Sequence, residues 1–270
     1  MTAPAQHDAV TNRATLAGSA YATDRDLAAR QSLYRFQQPQ YDLPGLVEHE
    51  LALVRGLVLD MGCGNGTFIR RLRQNRSDLH VLGMDIAPGI LAGVPGPVVV
   101  ADAQHLPVAD HAAAAVLAMH MLYHVPDIDQ AIAEAHRALH PGGMLIASTN
   151  SATDKAELDQ LWIRAAGDVL GVNDGPARVL LSARFTLEDA PACLGRRFHD
   201  IRVITLPGTI TVTDPAPVTA HMASYRAWAD QSGVPFDQTI ERAAQITADT
   251  IARHGAFQIS CLGGILIATH

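Results

Sequence analysis

The chain is poor in the features that mark several specialised classes. Three cysteines in 270 residues, Cys63, Cys193 and Cys261, are too few and too scattered for a disulfide framework or a metal cluster, and one would stay unpaired. A reducing compartment fits, and the cytoplasm is the expected location. No stretch approaches the ~18 consecutive apolar residues of a membrane span. The opening MTAPAQHDAVTNRATLAGSA lacks the apolar centre of a signal peptide, so no membrane partner is expected. Excess positive charge is missing too: 20 Lys+Arg stand against 27 Asp+Glu, a formal net charge of -7. That balance gives a phosphate backbone no electrostatic reason to bind, and no nucleic-acid partner is expected. There is no H-E-x-x-H motif, and His120 with His124 is a lone i, i+4 pair with no acid close in sequence, so no metal is expected. Repeats and low-complexity segments are absent, and the pattern sets no oligomeric state.

What is present is apolar and alternating. With 48% hydrophobic and 17% charged residues, the chain can bury one large core carrying a cap. LVLDM, residues 57 to 61, is a short apolar run broken by Gly62, Gly64 and Gly66, the pattern of a buried strand and its turn. Phe68, Ile69 and Leu72 follow at helical spacing beside arginines. HVLGMD, PVVVAD and AAAAVLAM read as the next strands, ending at Asp85, Asp102 and near Met119. Asp127 then caps a helix carrying Ile128, Ala131, Ile132, Ala135 and Leu139. HPGG stops that helix, and MLIAST is a fifth strand. Strands alternating with helices at these spacings predict βαβ units and a parallel sheet.

In an open α/β sheet, ligands bind beyond the carboxyl ends of the strands. Asp60, Asp85 and Asp102 are expected there in one row, beside a glycine turn that lets backbone approach a ligand. Such acceptors suit a ligand with an ammonium group, ribose hydroxyls and an adenine amine. A nicotinamide dinucleotide is the competing ligand, since Asp85 lies at the usual distance for a ribose-binding acid. Its G-x-G-x-x-G turn, however, would need a third glycine where Thr67 stands.

VLDMGCGNG, GMDIAP, ADAQHLPVAD, LAMHMLYHVPD and LHPGGMLIAS, in this order over residues 57 to 150, resemble the successive motifs of class I methyltransferases that use S-adenosylmethionine (SAM). The likeness is to the small-molecule group that includes quinone methylases and enzymes of bacterial secondary metabolism. It implies a Rossmann-like, seven-stranded, mostly parallel sheet with helices on both faces. It implies SAM as cofactor, S-adenosylhomocysteine (SAH) as product and a small-molecule methyl acceptor. Carried onto this sequence, it places Asp60, Gly62, Cys63 and Gly64 along the methionine part of SAM, with Asp60 facing its ammonium. Asp85 would take the ribose hydroxyls, Ile86 the adenine face, and Asp102 with Ala103 the adenine edge. Met119 and His120 would border the sulfonium. The upstream run LAARQSLYRFQQPQYDLPGLVEHEL resembles the helical lead-in of this group, with Arg30, Tyr21 and Tyr34 as candidates for the SAM carboxylate.

The second half suggests a cap. A helix with Leu158, Leu161, Trp162, Ala165 and Val169 precedes strand-like FHDIRVITL, and FQISCLGGILIAT closes the chain. The expected layout is a flexible tail over 1–18, a helical N-terminal cap over 19–56, and a methyltransferase domain over 57–270 with 213–254 inserted as a helical lid. Tyr21, Tyr34, Tyr123, Met222, Tyr225 and Trp228 are the candidates for lining an acceptor site. His120 and His124 are the candidates for a general base, where the accepting atom carries a proton. A nicotinamide-dependent oxidoreductase and a SAM-binding protein without transfer chemistry are the alternative functions.

Overall fold

The computed structural model describes residues 8–270. Its strands are β1 (Gln37–Gln38), β2 (Gly56–Met61), β3 (Leu79–Asp85), β4 (Val98–Val100), β5 (Ala113–Met119), β6 (Leu139–Asn150), β7 (Asp200–Val212) and β8 (Phe257–Thr269). They form a mostly parallel sheet in the order β1-β7-β8-β6-β5-β2-β3-β4. β2 pairs in parallel with β3 and β5, β3 with β4, and β5 with β6, whereas β8 runs antiparallel to β6. Eight strands replace the expected seven because the two-residue β1 adds itself to β7, through Gln37 opposite Ile210.

The chain divides into two compact units. The second unit holds residues 41–152, 182–206 and 263–270. Its central β5 is buried at every position, as expected of a parallel strand covered on both faces. After β2 the chain turns at Gly66, in the left-handed region with φ 75°, and enters α3 (Thr67–Asn75), whose Ile69 and Leu72 are buried. α5 (Ile128–Ala138) starts where the Asp127 side chain accepts the Gln130 N–H at 2.9 Å. It buries Ala131, Ile132, Ala135 and Ala138. That cap is worth about 1 kcal/mol, so Asp127→Ala would fray the helix start without removing its apolar face.

The first unit holds 1–40, 153–181 and 207–262. Its core gathers Leu158, Leu161, Trp162 and Ala165 of α6 (Ala156–Leu170) with Ile240, Ala243 and Ile246 of α9 (Phe236–His254). α8 (Ala216–Ala223) adds Val218 and Met222. The segment between β7 and β8 is therefore helical. α1 (Arg25–Ser32) belongs to this unit, and α2 (Leu43–Glu50) to the other.

The expected tail needs correction. Residues 1–7 lie outside the described residues, but 8–20 form short helical turns with Val10 and Leu16 buried. The Trp228 indole N–H donates to the Ala9 carbonyl at 3.1 Å. A polar-looking opening is thus held by a tryptophan more than two hundred residues away. No helix among the described residues is long and apolar enough to cross a membrane.

Candidate functional site

Asp60 is the penultimate residue of β2 and has no exposed surface. Both of its carboxylate oxygens are buried without a hydrogen-bond partner. Buried carboxylates are normally paired or hydrogen-bonded, so this pair of acceptors calls for a donor that is not part of the chain. Burial and the nearby Asp85 charge push its pKa up to about 7. The following loop is held in place by backbone. Cys63 N–H donates to the Met84 carbonyl at 2.9 Å, and Gly66 N–H to the Cys63 carbonyl at 2.9 Å. The Cys63 thiol is buried and its pKa raised, by burial first and then by Asp60 and Asp85. It therefore stays protonated and serves as packing.

Gly62 has φ 69°, and a Cβ there would lie 2.7 Å from Met121 Cβ. At Gly66 a Cβ would lie 2.5 Å from Val94 Cγ1. Only glycine fits both the dihedral and the space. Asp85 ends β3, with Oδ2 accepting from Gly64 N–H and Oδ1 from Ala87 N–H, each at 2.9 Å. Burial raises its pKa, and those backbone donors partly offset the rise. Each oxygen keeps a lone pair for a further donor such as a hydroxyl. Ile86, half-buried, follows directly.

Asp102 departs from the expected row. β4 ends at Val100, and Asp102 lies two residues on, in a turn bridged to His105. Its Oδ1 accepts from the Gln104 backbone N–H at 2.9 Å and from the Gln104 side chain at 3.1 Å. Ala103 sits inside this turn, half-buried. The strand-end geometry thus holds for Asp60 and Asp85, while Asp102 is carried on a loop.

Met119 ends β5, buried, and His120 follows in the left-handed region with φ 53°. Its N–H donates to the Ser148 carbonyl at 3.1 Å and to Ser148 Oγ at 3.0 Å, which fixes that strained turn. Tyr123 is buried, and its ring meets His124 edge-on at 4.7 Å. The Arg184 guanidinium donates to the carbonyls of Tyr123 at 3.3 Å, of Val125, and of Pro126 at 2.7 Å. It ties down the loop that carries both histidines. Neither Ser148 nor Arg184 carries a sequence signal, because their partners are backbone groups distant in the chain.

The remaining candidates collect in the first unit. Arg30 is buried, with its guanidinium carbon 5.3 Å from the Tyr21 ring, 5.9 Å from Tyr225 and 6.0 Å from Trp228. Tyr34 stands apart from these, its hydroxyl accepting from Lys155 Nζ at 2.6 Å. Met222, Tyr225 and Trp228 line one cavity with Trp162, Arg178 and Phe236. Arg178 and Lys155 were not singled out by the sequence. Among the described residues, no group of three or more His, Cys, Asp or Glu could hold a metal ion.

Residues 59–147, all in the second unit, match the family model described as a methyltransferase domain. A malonyl-[acyl-carrier protein] O-methyltransferase of Hahella chejuensis is 31% identical over 160 residues, 53% of this chain and 55% of that one. The ubiquinone/menaquinone biosynthesis C-methyltransferase UbiE of Bartonella tribocorum is 33% identical over 144 residues, 47% and 55% of the two chains. The chain spans about half the length of the curated relatives it matches. In fold, it is similar to a candidate methyltransferase of Bacillus halodurans C-125, with a TM-score of 0.51 and 16% identity over 84% of this chain and 98% of that one.

Proposed function

We propose, from the methyltransferase domain matched over residues 59–147, that the chain is a class I SAM-dependent methyltransferase and moves the methyl group of SAM to an oxygen, nitrogen or carbon of a small-molecule acceptor. The observation that carries the reading is the Asp60 carboxylate, fully buried with neither oxygen partnered, beside a loop where a Cβ at Gly62 or Gly66 would collide. A ligand presenting an ammonium group to Asp60 and hydroxyls to Asp85 fits these acceptors.

In this reading Asp60, Gly62, Cys63 and Gly64 hold the methionine part of the cofactor. Asp85 accepts from the ribose, Ile86 lies on the adenine, and Asp102 with Ala103 meets its edge. Met119 and His120 border the sulfonium. When bound, SAM supplies a methyl group that is already electrophilic. The protein's tasks are then to orient the acceptor in line and to exclude water. For an acceptor that must lose a proton, His120 or His124 takes it, both held on the loop that Arg184 secures. The transfer is a tailoring step of bacterial secondary metabolism.

The test is incubation with methyl-labelled SAM and a panel of malonyl thioesters, quinols and amines, following SAH. Labelled product from one acceptor class together with SAH supports transfer. Tight SAH binding with no turnover on any acceptor would favour a SAM-binding protein without transfer chemistry. Absence of SAH binding would end the reading.

A further inference from the structure

Asp102 is held by more than its own turn. A turn acid commonly accepts the backbone N–H two residues on, and Asp102 Oδ1 does so from Gln104 at 2.9 Å. The same oxygen also accepts from Gln104 Nε2 at 3.1 Å. The other end of that amide is fixed from outside the turn, because Gln104 Oε1 accepts the Asp127 N–H at 3.1 Å, from 23 residues along the chain. A side-chain amide carries its donors on nitrogen and its acceptor on oxygen. With Oε1 turned to an N–H, Nε2 has to face the carboxylate, and the amide cannot flip without losing both bonds.

α5 secures the rest of the loop. Gln130 Nε2 donates to the Gln104 carbonyl at 3.3 Å. The Glu134 carboxylate accepts the Leu106 N–H at 2.8 Å, and the Arg137 guanidinium donates to the carbonyls of Leu106 at 3.1 Å and Val108 at 2.9 Å. Glu134 and Arg137 pair with each other at 2.8 Å. All of these residues belong to the second unit. Two donors occupy Asp102 Oδ1, while Oδ2 has no hydrogen-bond partner among the described residues. The half-buried Asp102 thus presents one open acceptor in one orientation.

We propose that Gln104 is the positioning residue through which the chain reads the amine of an adenine. It acts through Asp102, turning Oδ2 toward the ligand so that the amine donates to a carboxylate already set in place. This rests on the proposed function, in which Asp102 meets the adenine edge, and adds what fixes its aim. Without the Gln104 side chain the backbone bond to Oδ1 remains, but the carboxylate is free to tilt and its hold on the amine weakens.

The intact chain is titrated calorimetrically at pH 7.5 with SAH and with its deamino analogue, in which hydrogen replaces the adenine amine. Ribose and homocysteine are common to both ligands, so a variant that merely loosens the fold weakens both and leaves the affinity ratio unchanged. Wild type prefers SAH by roughly tenfold or more, as one hydrogen bond to a charged acceptor contributes. Asp102→Asn, whose amide nitrogen then faces the ligand, abolishes the preference, and Gln104→Ala brings it below about a third of the wild-type ratio. A ratio unchanged in Gln104→Ala while Asp102→Asn abolishes it overturns the proposal and leaves the adenine placement intact. Equal affinities in the wild type, or a preference that survives Asp102→Asn, overturn both. Should Gln104→Ala fail to fold, the isosteric Gln104→Glu, which sets a second carboxylate against Asp102, decides by the same ratio. Absence of SAH binding removes the methyltransferase reading and the proposal with it.

Discussion

Asp60 and Asp85 stand on the adjacent parallel strands β2 and β3, and burial followed by the Asp85 charge pushes the Asp60 pKa up to about 7. An acid whose folded pKa exceeds its unfolded value near 4 makes the folded state bind more protons. Stability therefore falls as pH rises from about 4 to about 7 and stays lowered above. The cost at pH 8 is on the order of a few kcal/mol. Asp60→Asn removes it, so the variant should melt roughly 5 °C or more above wild type at pH 8 without ligand. At pH 4 the two should melt together. Thermal scans at both pH values check this, and an equal gain at both would contradict the assignment.

Gly62 faces Met121, with 2.7 Å between a Cβ there and Met121 Cβ. Gly62→Ala combines that clash with a left-handed backbone, a loss of about 2 kcal/mol, and should weaken SAH binding. Adding Met121→Gly should offset part of that loss by removing the clashing Cβ, while the dihedral strain remains. Denaturant melts of both single variants and the double variant read the coupling. Strict additivity would mean that the two side chains do not compete for one space.

Arg184→Ala leaves the carbonyls of Tyr123, Val125 and Pro126 without their guanidinium donor. The expected loss is about 2 kcal/mol of stability, with kcat falling more than the KM for SAM because the loop bearing His120 and His124 loosens. Arg184→Lys should recover some of both. Steady-state kinetics beside thermal melts separate this from general destabilisation, which would leave kcat per folded molecule unchanged.

His120→Asn keeps a residue that tolerates the left-handed φ of 53° and removes the imidazole. His124→Ala tests the other candidate. With an acceptor that must lose a proton, one of the two should lose roughly 100-fold in kcat with SAH affinity within threefold of wild type. Normal turnover in both would remove histidine from the mechanism.

The sheet core was legible because its signals are local. LVLDM with its glycine turn, AAAAVLAM and the Asp127-capped helix each announce themselves within about ten residues, and they lie where the pattern predicts. Asp102 shows the limit: an apolar run ending in an acid does not say that pairing stops at Val100. The opening residues were misread for another reason, since Ala9 is held by Trp228 and no local pattern encodes that bond. Arg30 carried a family resemblance but no hint of burial. Its neighbours Tyr225, Trp228 and Ser224 come from the far end of the chain. Lys155 and Arg178 were invisible because paired buried charges read like surface ones.

On the proposed function, the buried Asp60 carboxylate receives the ammonium of an adenosyl amino acid. Calorimetric titration of the full chain with SAH, run between pH 5.5 and pH 7.5 for wild type and Asp60→Asn, tests it most directly. Wild-type affinity should weaken more than tenfold toward pH 5.5, as the carboxylate, its pKa pushed up to about 7, takes up its proton. The asparagine variant should bind weakly at every pH, with no such slope. Equal affinity for the two proteins across that range would contradict the account.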